Sequence, residues 1–373
     1  MSPELPEGFW QTVRDEAARL APGPPRKLRA VLARMVEGFA SPGREGRYLQ
    51  DPRALAAYLR AFLPYEAMKL PYVLSQAGGA WRRDRTVLRI ADCGSGPASA
   101  TLGALAFLGS GARVEVALCD RERSALEVGR RLVLDLAARL SASATVTIYH
   151  GHHGHHGLFP PRDGKTWDLL VLQNALSEAF ADPGAAAAAL EGQLSCLAPD
   201  GILALLEPAD RARSRFLLSI RDRAIAGGAL SVLAPCTRQG PCPALGSARD
   251  WCSMESPISL TRAQRLDLRE GLLDRNALKE SYLVLSRRRP VEDASLHRVV
   301  GDVRRGNGIC EAFVCGPPGR FLARLPRSHQ SAANKVFLRL RRGDLAHLEG
   351  CVEKDGLALL AAQTHVRPAS IVE

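Results

Sequence analysis

The feature that most constrains the fold is a regular alternation of apolar, strand-like segments with helix-like segments between residues 86 and 230. The strand-like segments are TVLRIADC, VEVALCD, ATVTIYH, WDLLVLQ and GILALLE, and amphipathic segments such as ERSALEVGRRLVLDLAARL separate them. Strands that alternate with helices indicate βαβ units and a parallel sheet. Their strongly apolar composition is typical of strands buried on both faces. The sequence therefore predicts an α/β core.

Further segments flank this core on both sides. The residues before it carry helix-period apolar spacing interrupted by prolines. The residues after it begin with a loop rich in Cys, Pro and Gly, followed by a strand-like segment, SYLVLSRRRP. A hairpin-like segment lies around Gly316–Gly319, and we predict a helix over the basic run that follows, KVFLRLRRGD. The expected parts are a helical cap at 1–85, the core at 86–230, a Cys-rich basic region that completes the sheet at 231–344, and an uninterpreted tail at 345–373.

Charge and cysteine content narrow the classes of function. Fifty Lys and Arg against 39 Asp and Glu give a net charge of +11. This charge indicates an anionic partner, and RNA or the ribosome is the first candidate. The alternative is a coding bias that favours Arg. No apolar run approaches the roughly 18 residues of a membrane helix, and we see no signal or transit peptide. We therefore expect a cytoplasmic protein without a membrane partner.

Nine cysteines in a reducing compartment favour free thiols or a metal site over disulfides.

A glycine-rich turn joins the first strand of the core to the helix that follows. In DCGSGPAS, the two glycines allow a tight turn and close approach of the backbone to a ligand, and a helix N-terminus attracts anionic groups. Asp120 ends the second strand, where an acidic residue can accept hydrogen bonds from ribose hydroxyls. The D-x-G-x-G-P pattern looks like the S-adenosylmethionine loop of class I methyltransferases; a turn that binds nothing is the alternative. The predicted cofactor contacts are Asp92, Gly94, Gly96, Asp120 and Asn174.

The residues that would transfer a methyl group are not evident. The segment after the fourth strand, QNALSE, lacks the D/N-P-P-Y/F motif of amino-group methylases, and no Cys at a strand end has the Pro-Cys context of cytosine-C5 enzymes. Asn174 or Glu178 could line a substrate pocket or could cap a helix. The sequence therefore assigns neither a catalytic residue nor a methyl acceptor.

A cluster of cysteines follows the core. Cys236, Cys242 and Cys252 lie within 17 residues of a turn-rich loop, where the usual role of a single Cys as a small buried hydrophobe fits poorly. The spacing lacks the C-x2-C pairs of a zinc ribbon, and uneven spacing also suits an iron–sulfur cluster. A fourth ligand is available at Cys310 or Cys315, and Cys315, which precedes a Gly-Pro-Pro-Gly turn, is the better candidate.

Positive charge concentrates downstream of these cysteines. Residues 281–343 contain 13 Lys and Arg against four Asp and Glu. This surplus indicates contact with the phosphate backbone of a structured RNA, with a solvated surface as the alternative. Aromatic residues are few there, so base stacking on single strands is less favoured. The predicted RNA contacts are Arg287, Arg288, Arg289, Lys335, Arg339, Arg341 and Arg342.

A histidine-rich segment, HGHHGHHG, occupies residues 150–157. Its glycine content argues against a preorganised metal site, so we interpret it as a surface loop. Adventitious binding of a divalent metal is the alternative.

In this order, these motifs resemble those of the methyltransferase-like protein 17 family, the Rsm-type proteins of the small ribosomal subunit in mitochondria and bacteria. The resemblance is carried by DCGSGPASATLGAL, PCTRQGPCP…DWC, the later strand Cys before a turn, KVFLRLRRGD and the leading LPEGFWQTVRDEAARL, and it covers roughly residues 4–344. It implies a class I methyltransferase (Rossmann-like) fold with an inserted [4Fe-4S] cluster. The implied cluster ligands are Cys236, Cys242, Cys252 and Cys315.

The resemblance also implies a function. It points to binding of ribosomal RNA and a role in small-subunit assembly and translation, with S-adenosylmethionine as a second cofactor. An active S-adenosylmethionine-dependent rRNA methyltransferase is the first alternative, and an iron- or redox-sensing RNA-binding protein is the second. The ligand types alone do not distinguish zinc from the cluster, so zinc is the alternative metal. No DNA partner is expected.

Overall fold

The protein contains two β-sheets and a set of helices that precede and surround the first sheet. A computed structural model describes residues 4–39, 48–82, 85–151, 158–270 and 275–369. Residues 152–157 of the histidine-rich segment lie outside this range, so its interpretation stays a prediction. Within the described residues, no helix combines the length and apolar character needed to cross a bilayer.

The first sheet contains the predicted α/β core. Its strands are β1 Leu88–Cys93, β2 Arg113–Asp120, β3 Ser143–His150, β4 Trp167–Gln173, β5 Leu197–Pro208, β6 Ser231–Ala234, β7 Met254–Pro257 and β8 Ala277–Ser286. They are ordered β3-β2-β1-β4-β5-β8-β6, with β7 also paired to β8. Strands β1 to β5 are parallel, and β8 runs antiparallel between β5 and β6. This Rossmann-like order with one inserted antiparallel strand is that of the class I methyltransferase fold.

Helices cover both faces of the first sheet. Residues alternate along β1, so that Ile90 packs into the core shared with the first helices and Ala91 into the core on the opposite face. Strands β1, β2, β4 and β5 are therefore mostly buried on both sides, as the sequence predicts, whereas the prediction is wrong for the edge strand β3, whose residues alternate between exposed and half-buried. The helices are α1 Glu7–Leu20, α2 Arg29–Phe39, α3 Pro52–Ala61, α4 Leu63–Ser75, α5 Ser99–Leu108, α6 Arg123–Arg139, α7 Leu176–Ala179, α8 Pro183–Glu191, α9 Arg211–Ala226 and α10 Arg262–Glu270.

The second sheet is formed by the C-terminal part of the chain. Its strands are β9 Leu296–Val299, β10 Arg304–Gly306, β11 Ile309–Gly316, β12 Gly319–Pro326, β13 Leu345–Glu349, β14 Glu353–Lys354, β15 Leu357–Leu359 and β16 His365–Ala369. They are ordered β14-β15-β12-β11-β9-β13-β16, with β10 paired to β11. This sheet surrounds its own hydrophobic core, separate from the two cores of the first sheet.

The predictions for the C-terminal region have mixed outcomes. The hairpin is confirmed, because β11 and β12 pair antiparallel up to Gly316 and Gly319. The helix predicted over KVFLRLRRGD is wrong: only a short 3-10 turn, Lys335–Arg339, forms there, because Phe337 and Leu340 turn into the core of the second sheet. Residues 345–369, which the sequence leaves uninterpreted, form β13 to β16. Strands of two to five residues are too short to show a clear alternation in sequence.

Candidate functional site

The glycine-rich loop between β1 and α5 is tightly packed. Gly94 and Gly96 have φ angles of 72° and 50°, in the left-handed region that favours glycine. A Cβ atom on Gly94 would lie 2.3 Å from the Cβ atom of Ala175, in the segment after β4. Glycine at position 94 is therefore required by the backbone conformation and by this close contact.

The two acidic residues of this loop region bind the backbone of the chain itself. Asp92 is buried, and its Oδ2 accepts hydrogen bonds from the amide and hydroxyl of Thr101, at 3.1 and 2.7 Å. The carboxylate of Asp120 accepts from the amides of Gly96 and Glu122, both at 2.8 Å. Burial raises the pKa of Asp92 to about 6 and also raises the pKa of Asp120, although these hydrogen bonds act in the opposite direction. Both carboxyl groups thus hold the turn in place.

A buried polar cluster lies at the end of β4. Asn174 Nδ2 donates to Glu66 Oε2 at 2.8 Å, and the same oxygen pairs with Lys69 Nζ at 2.7 Å. Gln173 Nε2 donates to the backbone oxygen of Glu66 at 2.9 Å. Glu280 in β8 is fully buried, and neither of its carboxyl oxygens has a hydrogen-bond partner among the described residues. Burial raises the pKa of Glu280 to about 8, although Lys69 lowers it.

Four of the nine cysteines line a single cavity at the junction of the two sheets. Cys236 follows β6, Cys242 and Cys252 lie in the loop before β7, and Cys315 lies on β11 of the second sheet. All four are free thiols. The cavity volume is about 40 Å³, more than one water molecule needs. Cys310, the other candidate for a fourth ligand, is instead buried in the core of the second sheet.

The thiols of this cavity lie within electrostatic reach of one another. Burial raises the pKa of Cys252, and the sulfurs of Cys236, Cys315 and Cys242 raise it further. Burial likewise raises the pKa of Cys315 to about 12, again with contributions from Cys236 and Cys242. The pKa of Cys242 is raised by burial and by Cys236. Without a cationic centre, these three groups are therefore neutral thiols at neutral pH.

Arg221 of α9 is a buried cation beside these sulfurs. Its Nε donates to Cys236 Sγ at 3.3 Å, and its Nη1 and Nη2 donate to the carbonyl oxygens of Gly240 and Arg238, both at 2.9 Å. It also forms an ion pair with Asp222. Burial lowers the pKa of the Arg221 guanidinium, but the neighbouring sulfurs and Asp222 outweigh this, so the net shift is upward. Arg221 therefore places a positive charge beside Cys236 and fixes the loop between the first two cysteines.

A second arginine of α9 holds the remainder of the loop. Arg215 Nη1 donates to the carbonyl oxygens of Ala244, Ser247 and Asp250, at 3.2, 2.6 and 2.7 Å. These bonds fix the backbone between Cys242 and Cys252. The cysteine loop is thus anchored to a helix of the first sheet along its whole length.

Two arginines of the second sheet form the opposite side of the cavity. Arg298 on β9 is buried; its Nε donates to Pro235 O and its Nη1 to Gly343 O, both at 2.8 Å. Arg320 on β12 forms an ion pair with Asp250. Arg298 Nη2 and Arg320 Nε are buried N–H donors without an acceptor among the described residues. Native proteins leave few such donors unpaired, so these two atoms indicate an acceptor that the described chain does not supply.

The predicted RNA contacts fall on two separate surfaces. Arg287–Arg289 are exposed and follow β8 at the amino-terminal edge of the parallel strands. Arg342 is half-buried and donates to Ser253 Oγ at 3.3 Å, beside the residue that pairs with Glu280 in β8. Six residue steps along β8 separate Glu280 from Ser286, the residue before Arg287, so the two surfaces lie roughly 20 Å apart along the strand. Lys335, Arg339 and Arg341 are exposed and precede Arg342 in the same connection between β12 and β13.

The arginines that line the cavity or hold its loop were not identified from the sequence. Arg215 and Arg221 occur in RARSRFLLSIRDRAIA, which reads as an ordinary solvated helix face. Arg298 occurs in a strand too short to show which face is buried. The signal that could have found the first two is their position: they lie six residues apart in α9, and only the short strand β6 separates this helix from the cysteine loop.

Comparison with known proteins adds only distant likenesses. No family model matches the chain, and no curated protein matches it. A protein of Listeria monocytogenes assigned to the class I S-adenosylmethionine-dependent methyltransferases is 13% identical, with 75% of this chain and 86% of that chain covered and a TM-score of 0.38. A protein of Pyrococcus horikoshii assigned as an RNA methyltransferase is 12% identical, with 74% and 98% covered and a TM-score of 0.33. The METTL16 MTase domain is 10% identical, with 61% and 69% covered and a TM-score of 0.35.

These scores are low, so the fold assignment rests on the strand order of this chain's own first sheet. That order, with β8 antiparallel between β5 and β6, defines an α/β protein with the class I methyltransferase fold. A fold alone does not establish a reaction or a partner.

Proposed function

We propose that this protein binds ribosomal RNA of the small subunit, acts in ribosome assembly or translation, and holds a [4Fe-4S] cluster on Cys236, Cys242, Cys252 and Cys315. The observation that carries the proposal is the convergence of these four cysteines on one cavity, although Cys315 lies 63 residues beyond Cys252 and in the other sheet. The resemblance to the methyltransferase-like protein 17 family implies the same four residues as ligands.

The chemistry of the cavity fits an anionic cluster. Four thiolate ligands are the usual donor set of a [4Fe-4S] cluster, and hydrogen bonds to its sulfurs tune its properties. Arg221 supplies a buried positive charge, and Arg298 and Arg320 supply N–H donors that have no other acceptor among the described residues. A cluster bound here would connect the loop before β7 to β11. Its role would therefore be structural, fastening the second sheet to the first.

The uneven spacing of the cysteines favours a cluster over a single zinc ion. Among the described residues, no group of three or more His, Cys, Asp or Glu side chains that could hold a metal ion is found, and this finding supports neither the cluster nor zinc. Zinc needs its sulfur ligands about 2.3 Å from one centre. A cluster has a larger body and accepts ligands that are further apart.

RNA contact is supported by the charge of the region that the cluster would fasten. The exposed residues Lys335, Arg339 and Arg341 lie in the connection between β12 and β13 of the second sheet, and Arg287–Arg289 lie on the other surface. Cations at exposed positions suit the phosphate backbone of a folded RNA. Two cationic surfaces that are held rigidly together would fit two neighbouring parts of one RNA.

We further propose that the glycine-rich loop binds S-adenosylmethionine. Gly94, Gly96 and Asp120 would hold the cofactor, Asn174 would lie at its edge, and Asp92 would act through Thr101 by fixing the turn. When bound, S-adenosylmethionine supplies an activated methyl group. A carboxylate oxygen accepts more than one hydrogen bond, so Asp120 can hold Gly96 and still accept from ribose hydroxyls.

Active methyl transfer is a second candidate function, and one observation favours it. The side chains of Gln173, Asn174 and Glu280 contain four buried oxygens without a hydrogen-bond partner among the described residues. They lie at the carboxyl edge of the parallel strands, where ligands bind in open α/β sheets. A substrate with N–H donors, such as the amino group of a base, would satisfy them.

The cluster is tested by anaerobic purification. We expect visible charge-transfer absorption, together with iron and acid-labile sulfide in equal amounts. Cys236→Ser should lose this absorption and should lower solubility and RNA binding together. A Cys236→Ser protein that keeps its solubility and its RNA affinity would remove the structural role.

Calorimetry with S-adenosylmethionine and a methylation assay on small-subunit particles separate the two functions. Binding without transfer supports the assembly role. Transfer that disappears in Asp120→Ala supports the enzyme. Absence of any binding would leave the loop as a structural turn.

A further inference from the structure

The second sheet has the connectivity of a Greek-key barrel. Strand β9 pairs antiparallel with β11 and β13, β11 pairs antiparallel with β12, and β12 pairs parallel with β15. Strand β16 then pairs with β13, so that β15 and β16 together act as a fifth strand. This is the pairing scheme of the OB fold, in which the face of the second and third strands binds oligonucleotides or oligosaccharides. In this protein those two strands are β11 and β12.

Side chains alternate across β11 and β12. Ala312, Val314 and Ala323 point into the barrel core, so the residues between them point outwards. At one end, Cys315 and Arg320 are covered by the cysteine cavity, whereas Phe313 is 38% exposed. The outward residues are Glu311, Phe313, Cys315, Arg320, Leu322 and Arg324.

Two exposed aromatic residues are linked to Arg320 of this face, one by contact and one through its chain neighbour. Arg320 Cζ lies 5.0 Å from the centre of the Phe313 ring. The same guanidinium forms an ion pair with Asp250, whose chain neighbour Trp251 is 40% exposed. Trp251 and Phe313 are the aromatic members of the exposed large hydrophobic residues in the described chain. Arg320 therefore connects the ring of Phe313 to the loop that carries Trp251.

The charges around these rings are positive overall. Arg304 and Arg324 both pair with Glu311, at 2.8 and 2.9 Å. With Arg320 and Asp250, the face carries three arginines against two carboxylates. The ion pairs with Glu311 hold Arg304 and Arg324 at the surface, where they can meet phosphate groups, whereas Arg320 lies at the covered end of the face.

We propose that this stacking face, formed by Trp251, Phe313, Arg304, Arg320 and Arg324, binds single-stranded RNA. Bases would stack on the two aromatic rings, since every base has a π-face, and phosphates would lie near the arginines. The inference rests on the proposed RNA-binding function and specifies one class of target, an unpaired segment. An apolar protein segment would cover the rings but would offer no further anionic group to Arg304 and Arg324, which share the single carboxylate of Glu311.

The test uses the full-length, cluster-loaded protein and fluorescence anisotropy with a labelled, unstructured RNA oligonucleotide. A duplex RNA of the same length serves as the second probe. Phe313→Ala and Trp251→Ala should each weaken binding of the single strand about tenfold and leave duplex binding unchanged. Phe313→Tyr keeps the ring and should retain the affinity. Leu134→Ala, at a residue 39% exposed on α6, is the matched control and should change neither affinity.

A second measurement reports on stacking directly. The other three tryptophans, Trp10, Trp81 and Trp167, are buried, so single-stranded RNA should quench mainly the emission of Trp251. The quenching should be absent in Trp251→Phe. Unchanged visible absorption of that variant would show that its cluster site is intact.

The outcomes separate this proposal from the function on which it rests. If both alanine variants bind the single strand as well as the wild type does, the stacking face is overturned while RNA binding stands. If the wild type binds neither RNA, the proposed function itself fails. If Phe313→Ala loses affinity for small-subunit particles but not for the oligonucleotide, the face contacts a protein and the proposal is also overturned.

Discussion

The glycine-rich loop and the cysteine cavity differ in how their polar groups are satisfied. In the loop, Asp92 and Asp120 are hydrogen-bonded to the chain's own amides, and Ala175 fills the space beside Gly94. In the cavity, Arg298 and Arg320 keep buried donors without acceptors among the described residues. We infer that the loop is structurally complete without a ligand, whereas the cavity is completed only by a bound group.

The largest expected effect comes from removing one cysteine of the cavity. Cys315→Ala should abolish nearly all iron binding, because the second sheet then supplies no ligand. Cys310→Ala, on the same strand but inside the barrel core, should keep its iron and lower the free energy of unfolding by about 1 kcal/mol. Iron determination on both anaerobically purified variants checks this. Equal iron contents would mean that the two positions do not differ as the structure indicates.

The next effect concerns the buried cation of the cavity. Arg221→Ala removes the partner of Cys236 and two bonds to loop carbonyls, so the free energy of unfolding should fall by about 3–5 kcal/mol. Arg223→Ala, at an exposed position on the same helix, should change it by less than about 0.5 kcal/mol. Urea denaturation measures both. Matching midpoints for the two variants would rule out the anchoring role of Arg221.

A smaller effect tests the packing of the glycine-rich loop. Gly94→Ala would place a Cβ atom 2.3 Å from that of Ala175 at a φ of +72°, and should destabilise the ligand-free protein by about 2–4 kcal/mol. Gly109 has a similar φ of +77° with open space around it. Gly109→Ala should therefore show the backbone strain alone, about 1–2 kcal/mol. Thermal unfolding without cofactor compares them, and equal losses would show that the loop is not closely packed.

The smallest effect is a pH dependence that arises from Glu280. Its pKa is raised from 4.5 to about 8, so between these values the folded state binds more protons and stability falls as the pH rises. Glu280→Gln should remove this dependence. The change in the free energy of unfolding that the substitution causes should therefore be more favourable at pH 8 than at pH 5, by about 1–3 kcal/mol. Melting temperatures at the two pH values test it, with Glu178→Gln, at an exposed residue, as the control. If Glu280→Gln changed the melting temperature by the same amount at both pH values, a buried Glu280 that titrates between them would be excluded.

The core of the fold was predictable because each of its strands is an apolar run ended by a turn. The second sheet was not, since the segment around Phe337 reads as a helix and the later strands are two to five residues long. Its barrel depends on β12 pairing with β15, a parallel contact between distant segments. Such pairings leave no local periodicity in the sequence.

The candidate site was predictable only in part. The turn-rich spacing predicts Cys236, Cys242 and Cys252 as ligands and favours Cys315 over Cys310 for the fourth, and the structure places Cys310 in the barrel core. The ion pair of Arg320 with Asp250 depends on how the cysteine loop packs on β12, so the sequence alone could not indicate the proposed stacking face.

X-ray absorption of the anaerobically purified protein, at the iron and zinc edges, tests the identity of the group in the cavity most directly. We expect an iron edge with sulfur neighbours and a second shell of iron, which Cys315→Ala abolishes. A zinc edge with sulfur ligands at about 2.3 Å, or no bound metal, would contradict the account.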